Sequence, residues 1–455
     1  MQLTHLRILY AALVVVPLVS AESGSFRVLT YNVAGLPEIL SSSNPSKNTP
    51  YISARLSPYT ITNVQEDFNY HRLLYASDTH PYRTTTSGGI PFGSGLNTLS
   101  NLPYIDLVRT TWSKCSLNSG DCPTPKGFTA LRVRVSQYQW IDVYDLHTDA
   151  GSLPSDLAAR ESNIKQVLAF MDRYSPGMPV IVMGDTNMRY TTIPDSARLL
   201  PDAGFDDAWV QLWRGGVPPE KTGVPLKCPF PFSDGVGQKE MMKCEVVDKI
   251  LYRHSGSALG RLWTKEVTNE HLEFLNPNNG ETLSDHYPLA AVMGWDEEGS
   301  GVRLSEVFGD GGSGSGGWFN DVQALIKDGK GVPRLEMLTL SGKERLVRIE
   351  AGYDVIARRM VGGSGGVEVS ITLAVGEGIT KVLACGGQKG ADITVFYMKV
   401  TTSAGRTLEA GTMTCECYTL EAPSGFVAAG FWGRAGDEIG RVGVVWVDKQ
   451  HHRLS

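Results

Sequence analysis

The sequence predicts a two-module chain, with strands and helices layered in the first half and strands alone in the second. Three observations carry this. The 455 residues are about three times the length of a typical single domain. A compositional break, Asp296-Glu297-Glu298-Gly299-Ser300-Gly301, is followed by an almost pure Gly/Ser/Asp run over 309–317, which places a linker at 296–303. The hydrophobic period also changes across that break.

In chain order, a weakly basic start is followed by the apolar run Ile8 to Val19 and the small residues Val19-Ser20-Ala21, the pattern of a cleavable signal peptide over 1–21. The run is too short to span a bilayer, so the expected mature protein is exported and extracellular, with no transmembrane segment. Next come β-type runs at Phe26 to Tyr31, Thr129 to Val135, Trp140 to Leu146 and Pro179 to Met183. Between them, Ser155 to Tyr174 spaces Leu157, Ile164, Val167, Leu168 and Met171 at helical intervals, with Ser155 as the expected cap. Strands interleaved with helices indicate α/β layers. Beyond the linker, Leu346 to Ile349, Val367 to Ile371 and Val442 to Trp446 alternate with period two between Gly pairs, which predicts an all-β unit.

Composition narrows the function. With 42% hydrophobic and 20% charged residues, wholesale disorder and a polytopic membrane protein are excluded. Lys plus Arg number 42 against 48 Asp plus Glu, a net charge of −6, so no global positive field gathers nucleic acid. Seven cysteines suit an oxidising compartment. Cys115 with Cys122 and Cys228 with Cys244 bracket loops and are expected to close them, while Cys385, Cys415 and Cys417 compete for one bridge. None of these spacings fits structural zinc.

Polar residues recur where strands end. Asn32 follows Phe26 to Tyr31, Glu66 follows Ile61 to Gln65, His147 follows Trp140 to Leu146, and Asp185 with Asn187 follows Val180 to Gly184. Asp248 follows Val246-Val247, and Asp285-His286 precedes an apolar stretch. Singly, each reads as a turn former or cap; as an ordered set at strand ends, they are where α/β layers place ligands.

Thr30-Tyr31-Asn32-Val33, Val64-Gln65-Glu66-Asp67, Asp145-Leu146-His147-Thr148, Met183-Gly184-Asp185-Thr186-Asn187, Val247-Asp248-Lys249-Ile250-Leu251 and Ser284-Asp285-His286-Tyr287-Pro288 resemble the ordered motifs of the endonuclease/exonuclease/phosphatase superfamily. That family includes deoxyribonuclease I, neutral sphingomyelinases and inositol polyphosphate phosphatases. The resemblance implies a four-layer α/β sandwich over 22–295 and hydrolysis of a phosphoester with Mg²⁺ or Mn²⁺. It implies Glu66 as metal ligand with Asn32 beside it, and Asp185 positioning or deprotonating water. Asn187 would orient the phosphate, and His147 and His286 would donate to its oxygens. Asp248 would hold a histidine or the second face of the site, and Asp285 would orient His286.

Departures from the family bear on substrate. Asn101 stands where an Arg often sits, and Lys249 where phosphatases of inositol phosphates carry Arg, although Arg189 matches them. Residues 22–296 are net acidic with no dense basic run, which favours phosphorylated small molecules or lipid headgroups over duplex nucleic acid. Trp209, Trp213 and Trp263 are core candidates that can alternatively meet a lipid interface.

From Phe308 onward, the Gly-rich opening, Gly376-Glu377-Gly378-Ile379-Thr380 and Gly430-Phe431-Trp432-Gly433-Arg434 resemble a jacalin-like lectin. This implies a β-prism over 304–448, with 449–455 as tail. The loop that holds the sugar-binding Asp in that family reads Gly436-Asp437-Glu438-Ile439-Gly440. Gly440 takes the Asp position, leaving Gly436, Asp437 and Glu438 as the candidate carbohydrate contacts. The expected protein is thus a secreted, divalent-metal-dependent phosphoester hydrolase with a lectin-like targeting domain. The alternatives are a phosphomonoesterase of inositol phosphates and a non-catalytic glycan-binding or toxin-like protein.

Overall fold

The computed structural model describes residues 22–118, 120–221, 224–254, 259–297, 301–309, 316–326, 332–390 and 392–451. The expected leader 1–21 and the middle of the expected linker lie outside the described residues. In the first half the strands are β1 (Ser23–Asn32), β2 (Ile61–Gln65), β3 (Tyr82–Arg83), β4 (Asn97–Ser100), β5 (Tyr104–Thr111) and β6 (Gly127–Arg134). They continue with β7 (Trp140–His147), β8 (Val180–Asp185), β9 (Asp206–Asp207), β10 (Asp248–Arg253), β11 (Arg261–Asn269) and β12 (Leu289–Asp296).

These form two six-stranded sheets, ordered β11-β12-β1-β2-β4-β3 and β5-β6-β7-β8-β10-β9. The sheets pack face to face, and a helix covers the outer face of each. The helix Pro154–Tyr174 buries Ile164, Val167 and Met171 and sets Phe170 edge-on to Phe128 of β6 at 5.1 Å. The helix Pro45–Leu56 buries Ile52 and Leu56 beside Leu29, Tyr31 and Phe274. The result is a four-layer sandwich, as the motifs imply. Ser155 is not the cap. The long helix starts at Pro154, whose missing N–H suits a first position, and the Asp156 carboxylate accepts from Leu153 N at 2.9 Å. Ser155 instead accepts from Asn118 Nδ2 at 2.6 Å.

Strands β2 and β7 are buried along their whole length, as central strands covered on both faces must be. Their interior is partly polar. Gln65 Nε2 donates to Asp145 Oδ1 at 2.7 Å, tying β2 to β7 across the two sheets. Burial pushes the Asp145 carboxyl well above the usual range, against the hydrogen bond from Gln65. His147, two residues on, shares that inward face.

The second half contains three four-stranded antiparallel sheets, an all-β, jacalin-like unit. The expected strands fall within Leu346–Tyr353, Val367–Thr372 and Ile439–Asp448. A short α-helix, Val322–Ile326, lies among them, where the Asn320 side chain accepts from Val322 N at 3.0 Å and starts a turn. The disulfides are Cys115–Cys122, Cys228–Cys244 and Cys385–Cys417, leaving Cys415 free and exposed. No described helix is long and apolar enough to cross a membrane.

The two halves meet over a mixed interface. Trp140 packs edge-on against Trp432 at 5.3 Å, and Tyr174 against Trp318 at 4.9 Å. Asp106, held at φ 57° in an irregular stretch of β5, receives Arg441 Nη1 at 2.9 Å.

Candidate active site

Register brings the strand ends together. Asn32 is level with Gln65 in the parallel β1–β2 pair, so Glu66 emerges one residue beyond it. In the parallel β7–β8 pair His147 is level with Asp185, and in the antiparallel β8–β10 pair Asp185 is level with Asp248. Three residues remote in sequence therefore lie side by side. Two glycines make this possible. A Cβ at Gly184, where φ is 151°, would sit 2.0 Å from Leu146 O, and one at Gly35 would sit 2.4 Å from Glu66 O. Glu66 and Asn187 themselves take left-handed backbone at φ 60° and 50°. Such strain persists only where surrounding structure overrides it, which is common at working sites.

The side chains converge on one atom. Asp185 Oδ2 receives Asn32 Nδ2 at 3.2 Å and His147 Nε2 at 3.1 Å, with His286 Nε2 at 3.6 Å. Asn32 Nδ2 also reaches Glu66 Oε1 at 3.2 Å, and His286 Nδ1 meets Asp248 Oδ2 at 3.0 Å. Asn32, His147, Asp185 and Asp248 are buried. Asn187 N caps Asp185 Oδ1 at 2.9 Å, and its side-chain amide donates to Thr148 O at 3.2 Å.

Asp285 does not orient His286. Its carboxylate accepts from Ser42 Oγ, and the imidazole is held by Asp248 instead. Ser284, not singled out by sequence reasoning, donates to Asn32 O at 2.6 Å and so ties the last motif to the first. Lys249 lies apart from the cluster, buried against Glu245 Oε1 at 2.9 Å and over the Tyr190 ring.

Burial acts to raise Asp185, yet the imidazoles of His286 and His147 outweigh it and hold this carboxyl well below the usual range. For His286, burial acts downward, but the Asp248 and Asp185 carboxylates raise it well above an ordinary imidazole. At Asp248 burial prevails over the attraction of the His286 imidazole and pushes the carboxyl up. Asp185 and His286 thus each shift the other toward its charged form, the carboxyl down and the imidazole up.

The residues fit a hard divalent cation. Glu66 has no lysine or arginine partner among the described residues; the one side-chain donor on its carboxylate is the neutral Asn32 amide. Asp248 Oδ1 and His147 Nδ1 are buried with no partner. Oxygen donors dominate, as Mg²⁺ and Mn²⁺ prefer. Asp185, Asp248 and His286 additionally place one ligand-type atom each within 4.8 Å of one another.

The candidate sugar contacts lie in the second half. Gly436 N bonds Glu438 O at 3.0 Å in a tight turn. Glu438 is not a free acceptor, because Arg345 Nε reaches it at 2.8 Å and Lys389 Nζ at 2.9 Å. Asp437 is exposed, and a Cβ at Gly363 would sit 2.4 Å from its main-chain oxygen. Trp209 is buried, its indole donating to Met242 O at 2.9 Å, as the core reading expects.

Comparison with known proteins agrees with both halves. Residues 42–215 match the family model for endonuclease/exonuclease/phosphatase family 2, and residues 308–445 match that for the jacalin-like lectin domain. The chain is 40% identical over 285 residues to proteins named sphingomyelinase from Mycobacterium bovis and Mycobacterium tuberculosis, covering 60% of this chain and 53% of theirs. It thus spans about half the length of the curated relatives it matches. Among solved structures, sphingomyelinase C from Streptomyces griseocarneus aligns at 20% identity and TM-score 0.41, over 59% of this chain and 99% of that one. A mannose binding jacalin related lectin from Ananas comosus aligns at 18% identity and TM-score 0.28, over 33% and 99%.

Proposed function

We propose that this chain, an endonuclease/exonuclease/phosphatase domain followed by a jacalin-like lectin domain, is an exported phosphodiesterase that needs a divalent metal and acts on a phosphorylated lipid headgroup. The observation that carries the reading is the meeting of Asn32, His147 and His286 at one oxygen of Asp185. A phosphodiester needs a positioned water, donors for its non-bridging oxygens and a proton for the departing alkoxide. Asp185, kept ionised, accepts a hydrogen bond from the water and orients it for in-line attack. As the new P–O bond forms and the old one breaks, the water's proton passes to Asp185 and that of His286 Nε2 to the leaving oxygen. The 3.6 Å approach of these two groups gives a route for restoring both. His147 and Asn187 face the phosphate, and Asp248 keeps His286 charged and oriented. Glu66, with Asn32 beside it, would hold Mg²⁺ or Mn²⁺, which neutralises phosphoryl charge when bound.

Exposed apolar side chains support a lipid substrate. Ile39 (91% exposed) and Leu40 follow Asn32, Phe92 (87% exposed) lies in the loop whose Gly95 backs Glu66, and Ile193 follows Asn187. Bulky apolar groups on loops leaving one cluster suit an interface with lipid better than one with water. The curated relatives are named for an enzyme of this class. The lectin-like domain would concentrate the enzyme on a glycan-bearing surface.

Arg189 favours a second reading. It lines a cavity next to Asn187 together with Arg198 and Lys221, and basic groups there suit an inositol phosphate. The two readings separate when residues 22–455 are assayed with Mg²⁺ for phosphocholine release from sphingomyelin and for free phosphate release from inositol polyphosphates. The first product alone is expected; free phosphate alone would replace the lipid reading with the second.

A further inference from the structure

The reaction centre straddles the two sheets of the first half. Asn32 and Glu66 stand at the ends of β1 and β2 in one sheet, and His147, Asp185 and Asp248 at the ends of β7, β8 and β10 in the other. Backbone register aligns residues within a sheet, but the apolar packing between sheets is non-directional. Side-chain hydrogen bonds supply the direction here. Gln65, fully buried, donates through Nε2 to Asp145 Oδ1 at 2.7 Å across the sheets and to Thr30 Oγ1 at 3.1 Å within its own. One step below on the same face of β2, Asn63 Nδ2 donates to Tyr144 O of β7 at 3.0 Å.

The seam formed by Thr30, Gln65 and Asp145 lies directly beneath the site. Asn32 is two residues beyond Thr30, Glu66 one beyond Gln65, and His147 two beyond Asp145. Glu66 leaves β2 with left-handed backbone at φ 60°, so where its carboxylate goes depends on where Gln65 is held. The seam also carries a cost. Asp145 Oδ2 and Thr129 Oγ1, on residues level with each other in the β6–β7 pair, are buried with no hydrogen-bond partner among the described residues, and such atoms destabilise a fold. Further down the same face of β7, Val143 and Ile141 are apolar and belong to the core. A polar break in an otherwise apolar face, left partly unsatisfied, is the kind of local conflict expected next to a working site.

We propose that Asp145 is a positioning residue that, through Gln65, sets the spacing between Glu66, which would hold the metal, and His147, which faces the phosphate. The inference rests on the metal-dependent phosphodiesterase reading and adds to it a residue that touches neither metal nor substrate. Groups behind a metal ligand orient it, and losing one typically costs about 10- to 100-fold in metal affinity or activity.

Three variants of the full chain separate positioning from stability. Asp145→Asn keeps an oxygen for Gln65 Nε2, Asp145→Val removes it, and the combined Thr30→Val/Gln65→Leu/Asp145→Val replaces the whole seam by apolar groups. Mn²⁺ affinity is read without substrate by electron paramagnetic resonance, kcat on bis(4-nitrophenyl) phosphate at saturating Mn²⁺, and Tm by circular dichroism. Asp145→Val and the combined variant should bind Mn²⁺ about tenfold more weakly or worse, with a similar fall in kcat, while Asp145→Asn stays within about threefold of the parent in both. The Tm of the combined variant should equal or exceed the parent's, because replacing all partners of a buried hydrogen bond by apolar groups is nearly neutral or stabilising. Parent-like Mn²⁺ binding and kcat in Asp145→Val, equal losses in Asp145→Asn, or a Tm that falls in step with the losses would return the seam to scaffold. Should the combined variant not fold, the contrast between Asn and Val at position 145 decides. If the parent binds Mn²⁺ and Asp145→Val weakens it, yet no diester is turned over, the phosphodiesterase reading fails and the positioning role stands. A parent that neither binds Mn²⁺ nor hydrolyses the diester would overturn both.

Discussion

The cluster around Asp185 and the turn at 436–438 are both glycine-and-carboxylate loops at strand ends, yet they are finished differently. At Asp185 three side chains crowd one oxygen, two neighbouring polar atoms are buried without partners, and Glu66 has no lysine or arginine partner among the described residues. At Glu438 two cations already close the carboxylate. Buried polar groups left unsatisfied are costly unless something completes them. The contrast teaches that a carboxylate at a loop signals chemistry when its surroundings leave it needing a ligand, and signals fold when they do not.

The largest effect should come from Asp185→Asn. Phosphodiester kcat should fall by about 10² to 10⁴, the usual contribution of a positioned acid/base group, with circular dichroism unchanged. A loss under about threefold would demote the cluster to scaffold. Next, Asp248→Asn removes the carboxylate that holds the His286 proton. The imidazole should then give up that proton at lower pH, moving the alkaline limb of the kcat/KM profile downward. An unmoved limb would show that another group sets it. The smallest effect should follow Glu438→Gln. Its partners are half-exposed or more open, so about 0–1 kcal/mol of stability is at stake, read as a small fall in Tm, and hydrolysis of a soluble diester should not change. A large loss of hydrolysis there would erase the distinction between the two regions.

Much of the first region was legible because strand ends are written locally. Asn32, Glu66, His147, Asp185 and Asp248 each follow an apolar run, and the register of parallel β1–β2 and β7–β8 then aligns them. The partner of His286 was not legible. Sequence adjacency suggests Asp285, whereas the antiparallel β8–β10 register delivers Asp248 from 38 residues away. The helix Pro154–Tyr174 was legible from its period, but its cap was not, since Ser155 is drawn off by Asn118. The domain interface was hidden too. Asp106 meets Arg441 across 335 residues, and Trp140 meets Trp432, pairings no local pattern encodes.

The most direct test of the account is hydrolysis of bis(4-nitrophenyl) phosphate by the full chain and by Glu66→Ala, each titrated with Mg²⁺ after EDTA treatment. The parent should regain activity saturably, and the variant should need far more metal or stay inactive with its fold intact. Full activity in EDTA, or identical metal curves for the two proteins, would contradict it.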